Sequence, residues 1–186
     1  MRWLEESRVT IDDEVRDEQA ADAFGPVLRD FGSFYASELR QVVGLAYVIS
    51  GSRSGAEDLA QDAFLAAYKR WEQVGRYPNP GAWVRRVVSN RAVSVFRRRA
   101  AEAKALLRFR GSESVVPEHS PDAAATWAAV RRLPKRQAQV IALRYYDGSS
   151  IADIARILEC SENTVKTHLQ RAKQTLNAQL TEREQS

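Results

Sequence analysis

The chain has 186 residues, of which 44% are hydrophobic and 28% charged, as in folded domains rather than disordered chains. One cysteine (Cys160) and two histidines exclude a disulfide framework and a metal site rich in thiolate or imidazole. The net charge of +4 is uneven, because residues 1–30 sum to −5 whereas residues 76–110 carry ten basic residues against one acid. The basic segment fits a polyanionic partner or a solvated basic helix, and charge alone does not separate the two.

Apolar periodicity predicts an all-α chain of two small helical domains, since no run of strict apolar–polar alternation suggests a strand. Composition divides the chain into an acidic leader, a first domain, a flexible linker and a second domain: residues 1–28, 29–104, 105–121 and 122–186. No apolar run approaches the roughly 20 residues that span a bilayer, and the start of the chain does not resemble a signal peptide. We therefore expect a cytoplasmic protein without membrane insertion.

The first informative helix is predicted at about residues 56–73, after a loop rich in glycine and serine at 51–55. Spacings of four, four and three predict its buried face, formed by Ala60, Phe64, Tyr68 and Trp71. A neighbouring stripe mixes polar side chains with one leucine: Asp58, Gln61, Asp62, Leu65 and Lys69. This stripe fits a solvated face or a docking surface for another protein, and spacing alone favours the solvated face.

The second helix is predicted at about residues 80–99, after a proline-stiffened loop at 77–81. Its buried stripe consists of Val84, Val87, Val88, Ala92 and Val95. The opposite side, which we expect to be exposed, carries Trp83, Arg86, Asn90 and Arg97. Guanidinium groups contact phosphates, amides read base edges and indoles stack on unpaired bases, so this face suits nucleic acid. Trp83 fits a core position equally well.

The second domain has the pattern of a helix–turn–helix. A helix after Pro134 buries Val140, Ile141 and Leu143 and supports the motif from behind. Ser150 is a good N-cap, and Asp153 three residues later indicates a capping box for the first helix of the motif. The turn is predicted at residues 159–160, and a serine at position 161 precedes the second helix.

The second helix of the motif has the polar, donor-rich start of a major-groove reader. Its inward stripe is Val165, Leu169, Ala172 and Leu176. The candidate DNA contacts are Glu162, Asn163, Thr164, Lys166, Thr167 and Arg171. The two cations suit phosphate or guanine, the asparagine suits adenine, and the threonines suit either base or phosphate. The glutamate either accepts from a cytosine amino group or complements the helix dipole.

Motifs in both domains resemble the extracytoplasmic-function (ECF) sigma factors of the sigma-70 family. The segment Ala56-Glu57-Asp58-Leu59-Ala60-Gln61-Asp62-Ala63-Phe64 resembles their region 2 signature, and residues 79–83 with the following arginine cluster are similar to their −10 segment. Leu133-Pro134, residues 143–148, Ile154-Ala155, Ser161, residues 164–166 and Arg171-Ala172 resemble region 4. The order and spacing of both sets fit, which one helix–turn–helix alone would not establish.

The resemblance implies a subunit that directs bacterial RNA polymerase core to promoters, without cofactor, metal or catalytic residues of its own. It implies docking on the polymerase clamp helices through Asp58, Gln61, Asp62 and Leu65, and a second core contact at the flap. It further implies −10 recognition through Tyr77, Asn79, Trp83, Arg86, Asn90 and Arg97, and −35 recognition by the second domain. Promoter DNA is the other partner, an anti-sigma factor is an optional one, and the free protein is expected to be a monomer.

Three departures from the family pattern concern promoter choice rather than class. Ser94 stands where many members have aspartate, and Asn163 where many have glycine. Glu159 stands where the turn usually has glycine, so a left-handed backbone there carries some strain.

Two other functions fit parts of the sequence. A one-component repressor or activator would use only the helix–turn–helix, bind duplex DNA as a dimer and need no polymerase. A hydrolase would need a carboxylate pair such as Glu57 and Asp58, but neighbouring helical residues do not face each other. A Gly-rich phosphate loop and a nucleophile elbow are also missing from the sequence.

Overall fold

The computed structural model describes residues 29–106 and 121–184, which form helices and no strand. The predicted acidic leader and most of the predicted linker therefore lie outside the described residues. The helices are, in chain order, α1 (Phe31–Ser50), α2 (Arg53–Lys69), α3 (Trp71–Val74), α4 (Pro80–Leu106), α5 (Pro121–Arg132), α6 (Lys135–Tyr145), α7 (Ile151–Leu158) and α8 (Glu162–Glu184). The predicted all-α class is confirmed.

Side-chain caps decide where the first helices begin. Asp30 accepts a hydrogen bond of 2.7 Å from the backbone N–H of Ser33, which starts α1 and lowers the pKa of the Asp30 carboxyl. Ser52 accepts from the N–H of Gly55 at 3.2 Å and starts α2. The predicted loop at residues 51–55 is therefore wrong in length, because only its first two residues connect the helices. Gly51 ends α1 in the left-handed region, with φ 72°.

The first domain packs α1, α2 and α4 around a core in which Phe64 is 2% exposed. Aromatic rings extend this core at one end: Trp71 lies 4.8 Å from Phe34 between ring centroids, and its indole N–H donates to the carbonyl of Arg29. The prediction of a buried Tyr68 is wrong, since this side chain is 61% exposed. The Tyr68 ring makes an edge contact with Phe31 at the border of the aromatic cluster. Periodicity therefore identified the correct side of α2, but it did not show where along the helix the core ends.

The second domain consists of α5 to α8, and the predicted apolar stripes meet at its centre. Val140, Leu143 and Val165 are fully buried, as predicted, and Ile154 is fully buried with them. The same apolar cluster continues into the first domain, because α6 and α7 contact α4, and α5 and α6 contact α1. The two domains are thus packed against each other along their described residues, and do more than share a linker.

Phe64 and its neighbour Leu65 provide a direct test of this core. We expect Phe64→Ala to lower the free energy of unfolding by about 3–5 kcal/mol, because it leaves a cavity among aromatic rings. Leu65→Ala, at an exposed position one residue away, is expected to change it by no more than about 0.5 kcal/mol. Urea denaturation followed by circular dichroism measures both, and similar losses in the two variants would contradict the assignment of the core.

Candidate nucleic-acid interface

The face of α4 that the sequence assigns to nucleic acid is largely covered by the second domain. Trp83, Arg86 and Asn90 are half-buried, and the Trp83 side chain packs against the core cluster, whereas Arg97 remains exposed. The prediction of an exposed stripe is therefore wrong for Arg86 and Asn90, and for Trp83 the structure supports the alternative of a core position. Helical periodicity separates the sides of one helix, but it carries no information on which side another domain covers.

Two side chains of this face bond directly to the second domain. The Nε2 of Gln139 donates to the Oδ1 of Asn90 at 2.8 Å, and Gln139 is fully buried although it is polar. Arg86 pairs with Glu159, the residue in the turn of the helix–turn–helix. Burial lowers the pKa of Arg86, and the nearby charge of Arg136 lowers it further. In this conformation, two of the groups that were predicted to contact DNA are thus bonded to protein groups of the second domain.

A largely buried arginine at this contact was not predicted from the sequence. The guanidinium of Arg85 donates to Glu38 on α1 and to Asp147, which follows α6, both at 2.7 Å. Burial lowers the pKa of Arg85, but the hydrogen bond and charge of Asp147 outweigh this effect and raise it overall. Within α4 the residue looks like part of a basic run, so only the folded arrangement distinguishes it from the exposed arginines.

The loop before α4 borders an open cleft of about 430 Å³. Asn79 has two roles here, because its Oδ1 accepts from the N–H of Ala82 at 3.0 Å and its side chain lines the cleft. The opposite wall comes from the start of α1, with Asp30, Phe34 and Glu38 among its residues. Tyr77 is half-buried against the core. The loop residues were predicted, whereas the α1 wall was not, since nothing in its sequence separates it from an ordinary helix start.

The second candidate surface lies on α2 and is exposed throughout. It contains Asp58, Gln61, Asp62, Leu65 and Lys69. Leu65 is 51% exposed in the middle of these polar groups, and the exposed ring of Tyr68 adjoins it. The Asp62 carboxylate lies 3.2 Å from a guanidinium nitrogen of Arg91. This surface, unlike the face of α4, is not covered by the second domain.

The helix–turn–helix has the predicted capping geometry. The backbone N–H of Asp153 donates to the hydroxyl of Ser150 at 3.1 Å, and the N–H of Ser150 donates back to the Asp153 carboxylate at 3.2 Å. The turn residue Glu159 has φ 51°, so the expected left-handed position is present without glycine. Ser161 accepts from the N–H of Thr164 and caps α8.

The start of α8 presents most of its predicted contact residues to solvent. Glu162, Asn163, Lys166 and Arg171 are exposed. Thr164 and Thr167 are half-buried, and their hydroxyls bond to the Ser161 hydroxyl and to the backbone carbonyl of Asn163. The inward stripe holds Val165 and Ala172 fully buried, with Leu169 and Leu176 partly buried.

In the part of the chain that the structure describes, no cluster of three or more His, Cys, Asp or Glu side chains is arranged to hold a metal ion. None of the helices described is both long enough and apolar enough to cross a membrane.

Both domains match known protein families. Residues 34–102 match the model of sigma-70 region 2, and residues 124–176 match that of sigma-70 region 4. The chain is 31% identical over 151 residues to the ECF RNA polymerase sigma factor SigM of Mycobacterium tuberculosis, covering 78% of this chain and 74% of SigM. It is 26% identical over 174 residues to SigW of Bacillus subtilis, covering 86% of this chain and 89% of SigW.

A solved structure has a similar fold. The sigma factor RpoE of Bartonella quintana, crystallised in complex with the anti-sigma factor NepR, superposes with a TM-score of 0.65 and 27% sequence identity. The match covers 82% of this chain and 97% of that one.

The stabilisation that the capping box provides depends on pH through the carboxyl of Asp153. Its pKa is held below the ordinary 3.8, first by the Ser150 hydroxyl, with further contributions from the Ser150 N–H and Arg156. A carboxyl whose pKa is lower in the folded state than in the unfolded state stabilises the fold at pH values above its unfolded pKa. That contribution is lost as the pH falls through its folded pKa. We expect the stability advantage of wild type over Asp153→Asn to shrink as pH falls from about 5 to below 3.8. Urea denaturation across this range measures it, and a constant difference would contradict the assignment.

Proposed function

The chain belongs to the extracytoplasmic-function sigma factors of RNA polymerase, and on that basis we propose which of its surfaces contact the polymerase and which contact the promoter. A sigma factor of this type directs core polymerase to specific promoters and helps to melt the −10 region at the start of transcription. We assign core docking and −10 recognition to residues 29–104, and −35 recognition to residues 122–186. Nucleotide addition belongs to the core enzyme in the cytoplasm, and this chain contributes no catalytic residue.

Core docking is assigned to the exposed surface on α2. Asp58, Gln61 and Asp62 offer carboxylate and amide groups, and Leu65 adds an apolar contact at their centre. Leu65 and the neighbouring exposed ring of Tyr68 give this polar surface an apolar centre, which the proposed partner would cover. The surface would meet the clamp helices of the large polymerase subunits, and Tyr68 extends it on one side. This exposed mixed surface is the observation that carries the docking assignment.

Recognition of the −10 element is assigned to the cleft and to the face of α4. A base flipped out of the duplex would enter the cleft beside Asn79, next to Tyr77. Unstacking a base requires a few kcal/mol, which capture in a pocket offsets. Trp83, Arg86, Asn90 and Arg97 would then follow the single strand by stacking and by contacts to phosphate and base edges.

Recognition of the −35 element is assigned to the exposed start of α8. Lys166 and Arg171 would contact phosphate or guanine, Asn163 would read adenine, and Glu162, Thr164 and Thr167 would contribute further contacts. Tethering two modest sites in one chain raises the effective concentration of the second once the first is bound. An anti-sigma factor is a further proposed partner, by likeness to the complex of the Bartonella sigma factor.

The docking surface can be tested by transcription with purified bacterial core polymerase on a pool of promoter fragments. Wild-type protein is expected to produce specific transcripts, whose start sites locate the −10 and −35 elements. The triple variant Asp58→Ala, Gln61→Ala, Asp62→Ala is expected to reduce these transcripts at least about tenfold, because hot-spot contacts are worth 2 kcal/mol or more.

The matched control is Glu72→Ala combined with Gln73→Ala, which changes exposed polar side chains on α3 outside the docking surface. It is expected to transcribe as wild type. Full transcription by the triple variant would contradict the docking surface. Duplex binding by the chain alone, with no gain by core, would instead support a repressor.

The helix α8 can be tested by comparing Asn163→Ala with Lys166→Ala in the holoenzyme. Asn163→Ala removes a proposed base contact. It is expected to weaken binding to the preferred −35 sequence by about 1–3 kcal/mol and to relax the base preference at one position. Lys166→Ala removes a proposed phosphate contact. It is expected to weaken binding to all sequences alike, and to reduce by about one the slope of the logarithm of the binding constant against the logarithm of the salt concentration. Binding to −35 variants at several salt concentrations measures both, and indistinguishable behaviour would refute the assignment.

A further inference from the structure

We propose that the basic side chains around the start of α6 bind a short inorganic chain of linked phosphate groups. Helix α6 contacts both α4 and α8, so the site joins cations from the two domains. It goes beyond the function proposed above, because neither polymerase nor promoter takes part in it. The basic cluster consists of Arg86 and Arg97 on α4, Lys135 and Arg136 on α6, and His168 and Arg171 on α8.

Arg136 lies at the centre of the cluster and is positioned by a chain of hydrogen bonds. Its guanidinium donates to the Oε1 of Gln139 at 3.3 Å, and the Nε2 of Gln139 donates to Asn90 on α4 at 2.8 Å. Gln139 is fully buried, whereas Arg136 is exposed, so a fixed interior group orients a guanidinium at the surface. An arginine held in this way suits phosphate, because its planar fork of donors needs little further ordering.

The members of the cluster repel one another. The charge of Arg136 lowers the pKa of three neighbours, in each case after the larger effect of burial: Arg86, Lys135 and His168. Among the residues that the structure describes, the ion pair of Arg86 with Glu159 is the one contact between the cluster and a carboxylate. Like charges held close together are unfavourable, and a bound polyanion would offset that cost.

The start of α6 adds partial positive charge to the cluster. Pro134 precedes this helix, and its first turn has neither a side-chain cap nor an acidic residue. Lys135 and Arg136 occupy the turn instead, although cations are unfavourable at the positive end of a helix dipole. An anion at this position would accept from backbone N–H groups and offset both side-chain charges.

The arrangement favours linked phosphates over a single phosphate or a nucleic acid. Exposed guanidinium groups come from three helices, on Arg97, Arg136 and Arg171, so one phosphate would leave part of the cluster unpaired. Bases would add little, because the amide of Asn90 is bonded to the second domain and Trp83 packs against the core. A chain of phosphates supplies several negative charges and needs no base contact.

Isothermal titration calorimetry of the full-length chain tests the site, with inorganic tripolyphosphate as the probe and orthophosphate as the reference. At an ionic strength of about 0.15 M, attraction between charges further apart than about 8 Å is largely screened. Tripolyphosphate is expected to bind at least about tenfold more tightly than orthophosphate, because it contacts more of the cluster. Equal affinity for the two anions would overturn the assignment of a linked-phosphate ligand.

Single substitutions test the position of the site. Arg136→Ala is expected to weaken tripolyphosphate binding at least about tenfold, because it removes the central guanidinium. Arg97→Ala, at an exposed position of α4, is also expected to weaken it, which checks independently that the first domain contributes. The matched control is Arg144→Ala, which removes the same charge from the opposite end of α6, where the side chain is exposed. It is expected to bind as wild type, and equal losses in Arg136→Ala and Arg144→Ala would overturn the site.

The imidazole of His168 gives a second readout that overall charge attraction would not move. Its pKa is lowered first by burial and then by the charges of Arg171 and Arg136. A bound anion offsets those charges, so an NMR titration of the imidazole protons is expected to give a higher pKa with tripolyphosphate than without it. His168→Gln identifies the signal, since the chain has two histidines. An unchanged pKa at saturating tripolyphosphate would overturn the placement of the ligand.

A short thymidine oligonucleotide of equal charge separates this ligand from nucleic acid. It is expected to bind more weakly than tripolyphosphate and to depend less on Arg136. Tighter binding of the oligonucleotide, with the same loss in Arg136→Ala, would make the cluster a nucleic-acid contact and overturn the proposal.

The two proposals fail separately, because the calorimetry contains no polymerase. Absence of tripolyphosphate binding, with normal transcription, would overturn this site and leave the proposed function standing. Binding that depends on Arg136, without transcription by core polymerase, would overturn the proposed function and leave the phosphate site standing.

Discussion

The arrangement of the two domains depends on one guanidinium group between two carboxylates. Arg85 can bond to Glu38 within its own domain, but the side chain of Asp147 is buried only when the second domain is in place. Since an unpaired buried carboxylate would be strongly unfavourable, the ion pair selects one relative orientation of the domains. The burial of Gln139 and the half-burial of Asn90 follow from that orientation.

Most of the fold follows from local signals in the sequence. Apolar periodicity predicted the buried residues of α2, α4 and α6, and Ser150 with Asp153 predicted the capping box, because these features depend on neighbours a few residues away. The errors concern the contacts between elements. The stripe on α4 was predicted to be exposed, because nothing in the sequence shows which domain covers it. Tyr68 was predicted to be buried, because the sequence does not show where the core ends. Gln139, a polar residue in an apolar run, is a local sign of the contact that apolar periodicity does not explain.

The face of α4 is chemically suited to both protein and nucleic acid. Glu159 presents to Arg86 the same negative oxygen that a phosphate presents, and Gln139 offers Asn90 an amide hydrogen much as an adenine edge does. The face that is proposed to bind single-stranded DNA thus also bonds to a matching surface of its own chain. The two partners of this face differ in charge. Lys135 and Arg136 of the second domain lie near Arg97 and Arg86 of α4, and these like charges repel each other, whereas a DNA strand is negatively charged.

The covered and the exposed surfaces are proposed to read DNA in different ways. The proposed partner of the start of α8 is paired DNA, whose base edges are accessible in any duplex, so the exposure of this helix would lead only to weak binding by one tethered site. The α4 face is proposed to bind unpaired bases by stacking and by phosphate contacts, which tolerate many sequences. An open α4 face would therefore bind any single strand, whereas a closed one lowers its apparent affinity by the fraction of molecules that are open. In the packed arrangement of the two domains, the surface with the lower proposed sequence selectivity is thus the one that protein groups occupy.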